Sequence, residues 1–121
     1  MSATNFRPNG SSVLCNVSTT STTVQVTATS GLNNAWLVVN AGTTDAFFRI
    51  SSNAAVTATV PVTSGTGSPG QLINAGDAYI VGTPVADGSG DAQFIGPVYV
   101  AANCATLGTS TQLFINPVAF I

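Results

Sequence analysis

Clusters of Gly, Pro, Asn and Ser interrupt this chain about every eight to twelve residues, and the apolar stretches between them are too short for ordinary helices. No segment carries a 3.6-residue period. Where the apolar residues are ordered, they alternate: Val24, Val26 and Ala28 interleave with Thr23, Gln25 and Thr27, the pattern of a strand with one buried face. A chain of 121 residues can bury one continuous core without metals or disulfides. The expected fold is therefore a single all-β domain. It is an antiparallel β-sandwich of about eight or nine short strands, jelly-roll-like, with an immunoglobulin-like topology as the alternative.

Taken in order, residues 1–11 hold Phe6, Arg7, Pro8 and Asn9-Gly10 without periodicity. They are expected to form an N-terminal arm that a neighbouring subunit orders, ahead of a sandwich domain spanning 12–121. Val13, Cys15 and Val17 start the alternation, and the strand around Val24 follows. Val56, Ala58 and Val60 alternate again until Pro61, so 55–60 is expected to be a strand. The segment TSGTGSPG at 63–70 is a loop by composition. Leu72-Ile73, Ala78 to Val81, Phe94-Ile95 with Val98 to Ala102, and Gln112 to Ile115 complete the expected strands. The triplet Asn-Ala-Gly occurs at 40–42 and again at 74–76, each time near an Asp. These are read as two similar turns.

The longest apolar pair, WLVVNAGTTDAFFRI at Trp36 to Ile50, predicts a β-hairpin in which Asn40 faces Asp45 and Trp36 faces Arg49. That register puts Leu37, Val39, Ala46, Phe48 and Ile50 on a wholly apolar core face. Trp36, Val38, Phe47 and Arg49 share the other face with Asn40 and Asp45. A face so apolar is expected to meet another subunit.

Charge bounds the function. Only 5% of the residues are charged, against roughly 25% in ordinary soluble proteins. The charges are Arg7, Arg49, Asp45, Asp77, Asp87 and Asp91, for a formal net charge of −2. Such a chain has no basic surface with which to release counterions from nucleic acid. It also has little charge to keep its surface monomeric, so permanent assembly is expected. Hydrophobic residues make up 45% of the chain and mean hydropathy is +0.41, yet no apolar run reaches the ~18 residues of a spanning helix. The first residues, MSATNFRPNG, lack an apolar signal core, so no secretion is expected. The sequons at Asn9 and Asn16 are then chance matches.

His, Glu and Lys are all missing. That removes the usual groups for acid–base, Ser-His-Asp, Cys-His and lysine covalent chemistry at neutral pH, and no enzyme is expected. Cys15 and Cys104 are expected as reduced, buried thiols, with a disulfide as the alternative. Asp87 and Asp91 are too few for a calcium loop, and no cofactor or metal is expected. Trp36, Tyr79 and Tyr99 could stack on a glycan, but aromatics equally serve protein interfaces.

From Val38 to Leu113 the order of pieces is VVNAGTTDAFFRI, AVTATVP, a Gly/Ser/Pro loop, LINAGDAYIV and VYVAANCATLGTSTQLFINP. This order resembles that of small proteins encoded among the head genes of tailed bacteriophages, which decorate or cement the capsid exterior. The likeness covers about two thirds of the chain and departs from the family at Cys104 and Gln112. It implies a β-sandwich that binds the outer surface of a phage shell as a homodimer or homotrimer, with the major capsid protein as partner. The residues expected at subunit or capsid contacts are Phe6, Arg7, Trp36, Val38, Phe47, Arg49, Phe120 and Ile121, the terminal ones by arm exchange. The alternative is a receptor- or glycan-binding head domain of a phage fibre.

Overall fold

A computed structural model describes residues 5–30, 34–61, 64–82, 97–104 and 111–120. The expected strand at Phe94-Ile95, the acidic loop with Asp87 and Asp91, and the contact residue Ile121 lie outside the described residues. Within them the chain forms nine strands and no helix. They are β1 (Phe6–Pro8), β2 (Val13–Val17), β3 (Thr22–Val26), β4 (Asn34–Asn40), β5 (Ala46–Ser51), β6 (Gln71–Ile73), β7 (Ala78–Gly82), β8 (Val98–Asn103) and β9 (Thr111–Phe120).

Two antiparallel sheets result. In the first, β9 is flanked on one side by β2 and β1, end to end, and on the other by β4, with β7 outside β4; the second runs β3-β8-β5-β6. From β2 to β9 every connection crosses between the sheets except β5 to β6. That winding is a jelly roll. An immunoglobulin-like chain would keep several successive pairs within one sheet.

The core lies between the sheets. Trp36, Val38, Cys15, Leu113 and Ile115 from the first sheet pack on Val26, Val98, Val100, Ala46, Phe48 and Ile73 from the second. Trp36 is the largest fully buried side chain, and a buried aromatic of this size contributes on the order of 2–3 kcal/mol by area alone. Its indole Nε1 meets no acceptor, so packing rather than hydrogen bonding holds it.

This arrangement corrects the hairpin. β4 pairs with β7 and β9, whereas β5 pairs with β6 and β8, so Ala41 to Asp45 is an arch between sheets and Trp36 never faces Arg49. Ala46 and Phe48 do point inward as the alternation predicts. In β4 the phase is inverted: Trp36 and Val38 face the core, while Leu37 and Val39 are only partly buried. An arch sets the facing of its two strands independently; a hairpin couples them.

Two further expectations change. Residues 55–60 keep their alternation, with Val56 and Ala58 buried, but they join no sheet. The segment lies across the outside of the second sheet, where Val56 and Ala58 cover Ala101 and Tyr99. Thr23 Oγ1 donates to Val56 O at 3.2 Å and Ala58 N–H to Ser21 Oγ at 3.1 Å. The N-terminal arm is ordered by its own chain: Phe6 pairs with Phe120 and Pro8 with Val118. Asn9 anchors it, its N–H donating to Pro117 O and its side-chain amide to Ser30 O and Asn34 Oδ1.

Candidate functional site

Two sheets have two outer faces, and this chain treats them differently. Residues 52–61 cover part of the second sheet, over Ala101 and Tyr99. Among the described residues no segment crosses the outer face of the first, where Leu14 and Ile80 are exposed while Ala35 and Val118, at one end of it, are buried. Its outward positions follow from the register: Leu14 opposes Phe114, Phe114 opposes Val39 and Val39 opposes Ala78, one apolar row across four strands. A second row runs Asn116, Leu37, Ile80. Leu14 is 41% exposed and Ile80 38%.

Among the described residues no outward side chain on this face is charged. Two of its polar members are engaged locally: Ser12 Oγ donates to Asn116 Oδ1 at 2.6 Å, and Asn116 Nδ2 donates to Leu37 O at 3.1 Å. A contiguous apolar face without charge is the surface type that soluble monomers avoid and interfaces use.

Of the expected contact residues, Trp36 and Val38 are fully buried in the core and cannot reach a partner. Asn40, the polar residue that shares their phase, misdirects the face assignment, since it is itself buried. Phe6, Arg7 and Phe120 come together at the paired termini and are exposed. Phe47 is half-buried on the outside of the second sheet, where a Cβ on Gly70 would lie 3.3 Å from its own Cβ. Arg49 is exposed on that same side. The residues missed are Leu14, Leu37, Val39, Ile80 and Phe114. For Leu14 and Phe114 a signal existed: each shares the phase of polar neighbours, Asn16 for one, Gln112 and Asn116 for the other.

A groove of about 850 Å³ opens at the other exposed feature, the gap between the β7 edge and β5, with Phe48, Arg49, Tyr79 and Gly82 among its lining. Phe48 and Tyr79 stack at a ring separation of 6.5 Å with a tilt of 33°. Tyr79 belongs to the first sheet and Tyr99 to the second, so they do not converge with Trp36 on one ligand. Among the described residues no three His, Cys, Asp or Glu side chains come together.

Cys15 and Cys104 are both buried, and no disulfide joins them. Burial pushes the Cys15 thiol up from 9.0 to about 11, because the interior disfavours the thiolate. A group whose folded value is raised stabilises fully below its unfolded value and loses that contribution as pH rises. Stability is thus expected to fall between pH 9.0 and about 11. A Cys15→Ala chain should lack that part of the slope in a series of thermal melts; equal slopes in both chains would refute the assignment.

No family model, no curated protein and no solved structure matches this chain.

Proposed function

We propose that the protein is a structural virion subunit that binds the outer surface of a tailed-phage capsid and reinforces the coat-protein lattice, a decoration or cement protein. Its partners are the major capsid protein and further copies of itself, and it acts on the capsid exterior. The observation that carries this reading is the apolar outer face of the first sheet, centred on Phe114 and Val39 and without a charged side chain among the described residues. The resemblance of its motif order to phage head proteins supports it.

The mechanism is passive. Four strands at about 4.8 Å spacing over about 20 Å of length present a patch on the order of 400 Å², roughly half of what one partner contributes to a stable pairwise complex. One such contact is weak. Repeated on a shell, with neighbours held at fixed spacing, many such contacts reinforce each other by high effective concentration. The shell gains stability from the apolar surface removed from water.

Two measurements test this. Shells carrying the protein are expected to rupture at a higher temperature than bare shells, and equal rupture temperatures would sink the stabilising role. Leu14→Arg places a charge at the β2 margin of the proposed contact, beside Phe114, and should weaken shell binding by roughly tenfold while leaving the fold intact, since Leu14 is exposed.

The alternative of a glycan-binding fibre head has less to stand on. Its best stacking residue, Trp36, is in the core, and Tyr79 and Tyr99 sit on opposite sheets.

A further inference from the structure

Sheet edges are templates for further strands, and proteins usually blunt them with charge, proline or short length. Three edges here are protected. β1 carries Arg7 and Pro8, β6 has three residues, and β3 is flanked by the crossing segment through the Thr23 to Val56 hydrogen bond. At β2 the two sheets are stitched together, with Cys104 N–H donating to Ser18 O at 2.8 Å. β7 is different. Its sequence AYIVG holds no charge and no proline, it pairs only with β4 among the described strands, and Tyr79 and Ile80 are exposed. Beside it the sheets stand apart, leaving the groove lined by Arg49, Tyr79 and Gly82.

We infer that β7 pairs antiparallel with β7 of a second copy, about a two-fold axis at Ile80. In that register Ile80 opposes Ile80, Tyr79 opposes Val81 and Ala78 opposes Gly82. An isologous contact must be self-complementary, and the charges flanking β7 meet that condition. Asp77 precedes the strand and is exposed. Arg49 lines the groove along β7 together with Ile80, Val81 and Gly82. Neither has an ion-pair partner among the described residues. Antiparallel pairing carries the Asp77 of each copy to the Gly82 end of the other's β7, beside the groove that its Arg49 lines, so the two-fold creates two reciprocal opposite-charge pairs and no like-charge pair.

The pairing has a structural consequence. It joins two five-stranded sheets edge to edge and merges their apolar outer faces into one of about 800 Å², the area one partner contributes to a standard stable interface. The dimer is a property of the chain in solution and does not depend on what that joined face docks onto.

Sedimentation equilibrium or native mass spectrometry of the full chain, without shells, tests it. The expected species is a dimer of 12.1 kDa chains. Ile80→Lys sets two lysines across the axis and should give a monomer. Asp77→Arg and Arg49→Asp should each weaken the dimer by roughly tenfold, and the double variant Asp77→Arg/Arg49→Asp should restore it. Thermal melts confirm that the exposed substitutions leave the fold intact. A monomeric or trimeric wild type, or a dimer indifferent to Ile80→Lys, or charge-swap singles that behave like the double, would overturn the assignment. A dimer that forms as expected but leaves shells unprotected would count against the capsid role alone.

Discussion

Gly42→Ala is expected to destabilise the protein by about 3 kcal/mol or more, a drop of roughly 10 °C or more in melting temperature for a chain of this size. A Cβ built on Gly42 falls 1.7 Å from Thr111 Oγ1, 2.7 Å from Thr111 Cβ and 2.9 Å from Thr111 Cα. The hydroxyl alone could rotate away, but Cβ and Cα belong to the first residue of β9 and cannot. That strand pairs with β1, β2 and β4, so any shift is transmitted through the whole first sheet. Thr111 is held besides by its hydrogen bond to Asn40 Oδ1 at 2.9 Å. Gly67→Ala is the control, because a Cβ there meets nothing within 4 Å. Near-equal melting of the two variants would show that the close approach is not real. Adding Thr111→Gly removes two of the three clashing atoms, Oγ1 and Cβ, so the double variant should lose less than the two single losses together.

Loss of the Asn40 side chain should cost about as much. Asn40 is fully buried, yet its amide is completely satisfied. Nδ2 donates to Thr44 O at 3.0 Å and Ile73 O at 3.2 Å, and Oδ1 accepts from Gly42 N–H at 3.0 Å and Thr111 Oγ1 at 2.9 Å. Two donors and two acceptors are all an amide has. Its backbone is engaged too, the N–H donating to Asp77 O and the carbonyl accepting from Gly76 N–H. One residue thus binds the end of β4, the arch, the end of β6, the turn before β7 and the start of β9.

Asn40→Leu keeps the bulk but leaves these partners unmatched in the interior. With about 1–3 kcal/mol for each buried orphan, a loss of roughly 3–5 kcal/mol is expected in chemical denaturation. Asn40→Asp adds a pH signature. The introduced carboxylate would face two carbonyl oxygens, which favours its protonated form and raises its folded pKa above the unfolded value. Its deficit relative to wild type should therefore be smallest in acid and grow as pH rises through the raised value. A deficit that does not vary with pH would mean that the carboxylate escapes to solvent.

Asn40 also explains where reading the chain alone goes astray. Polar residues in one phase of a strand normally mark the solvent side, and the hairpin register puts Trp36 and Val38 in phase with Asn40 and Asp45. Asn40 is buried, so in β4 that phase is the core side. β3 and β5 hold no buried polar hub, and their inward residues, Val24, Val26, Ala46 and Phe48, agree with the alternation. The segment around Val56 and Ala58 shows a second limit. Alternating burial requires only one apolar surface underneath, and the outside of a sheet provides that as well as a neighbouring strand does. The two Asn-Ala-Gly turns are local features in the sequence; folding brings them together, through the hydrogen bond from Gly76 N–H to Asn40 O.

The chain by itself determined the class of fold and most strand positions, because these depend on composition and on the two-residue period of local backbone geometry. The tertiary structure alone decided which strands are neighbours, since pairs such as Val13 with Ile115 and Asn34 with Ala119 join segments far apart along the chain. It therefore also decided that Ala41 to Asp45 is an arch and that the apolar outer face belongs to Leu14, Leu37, Val39, Ile80 and Phe114. A side chain's phase is local, but whether that phase meets a second sheet, a crossing segment or solvent depends on how the whole ribbon is wound.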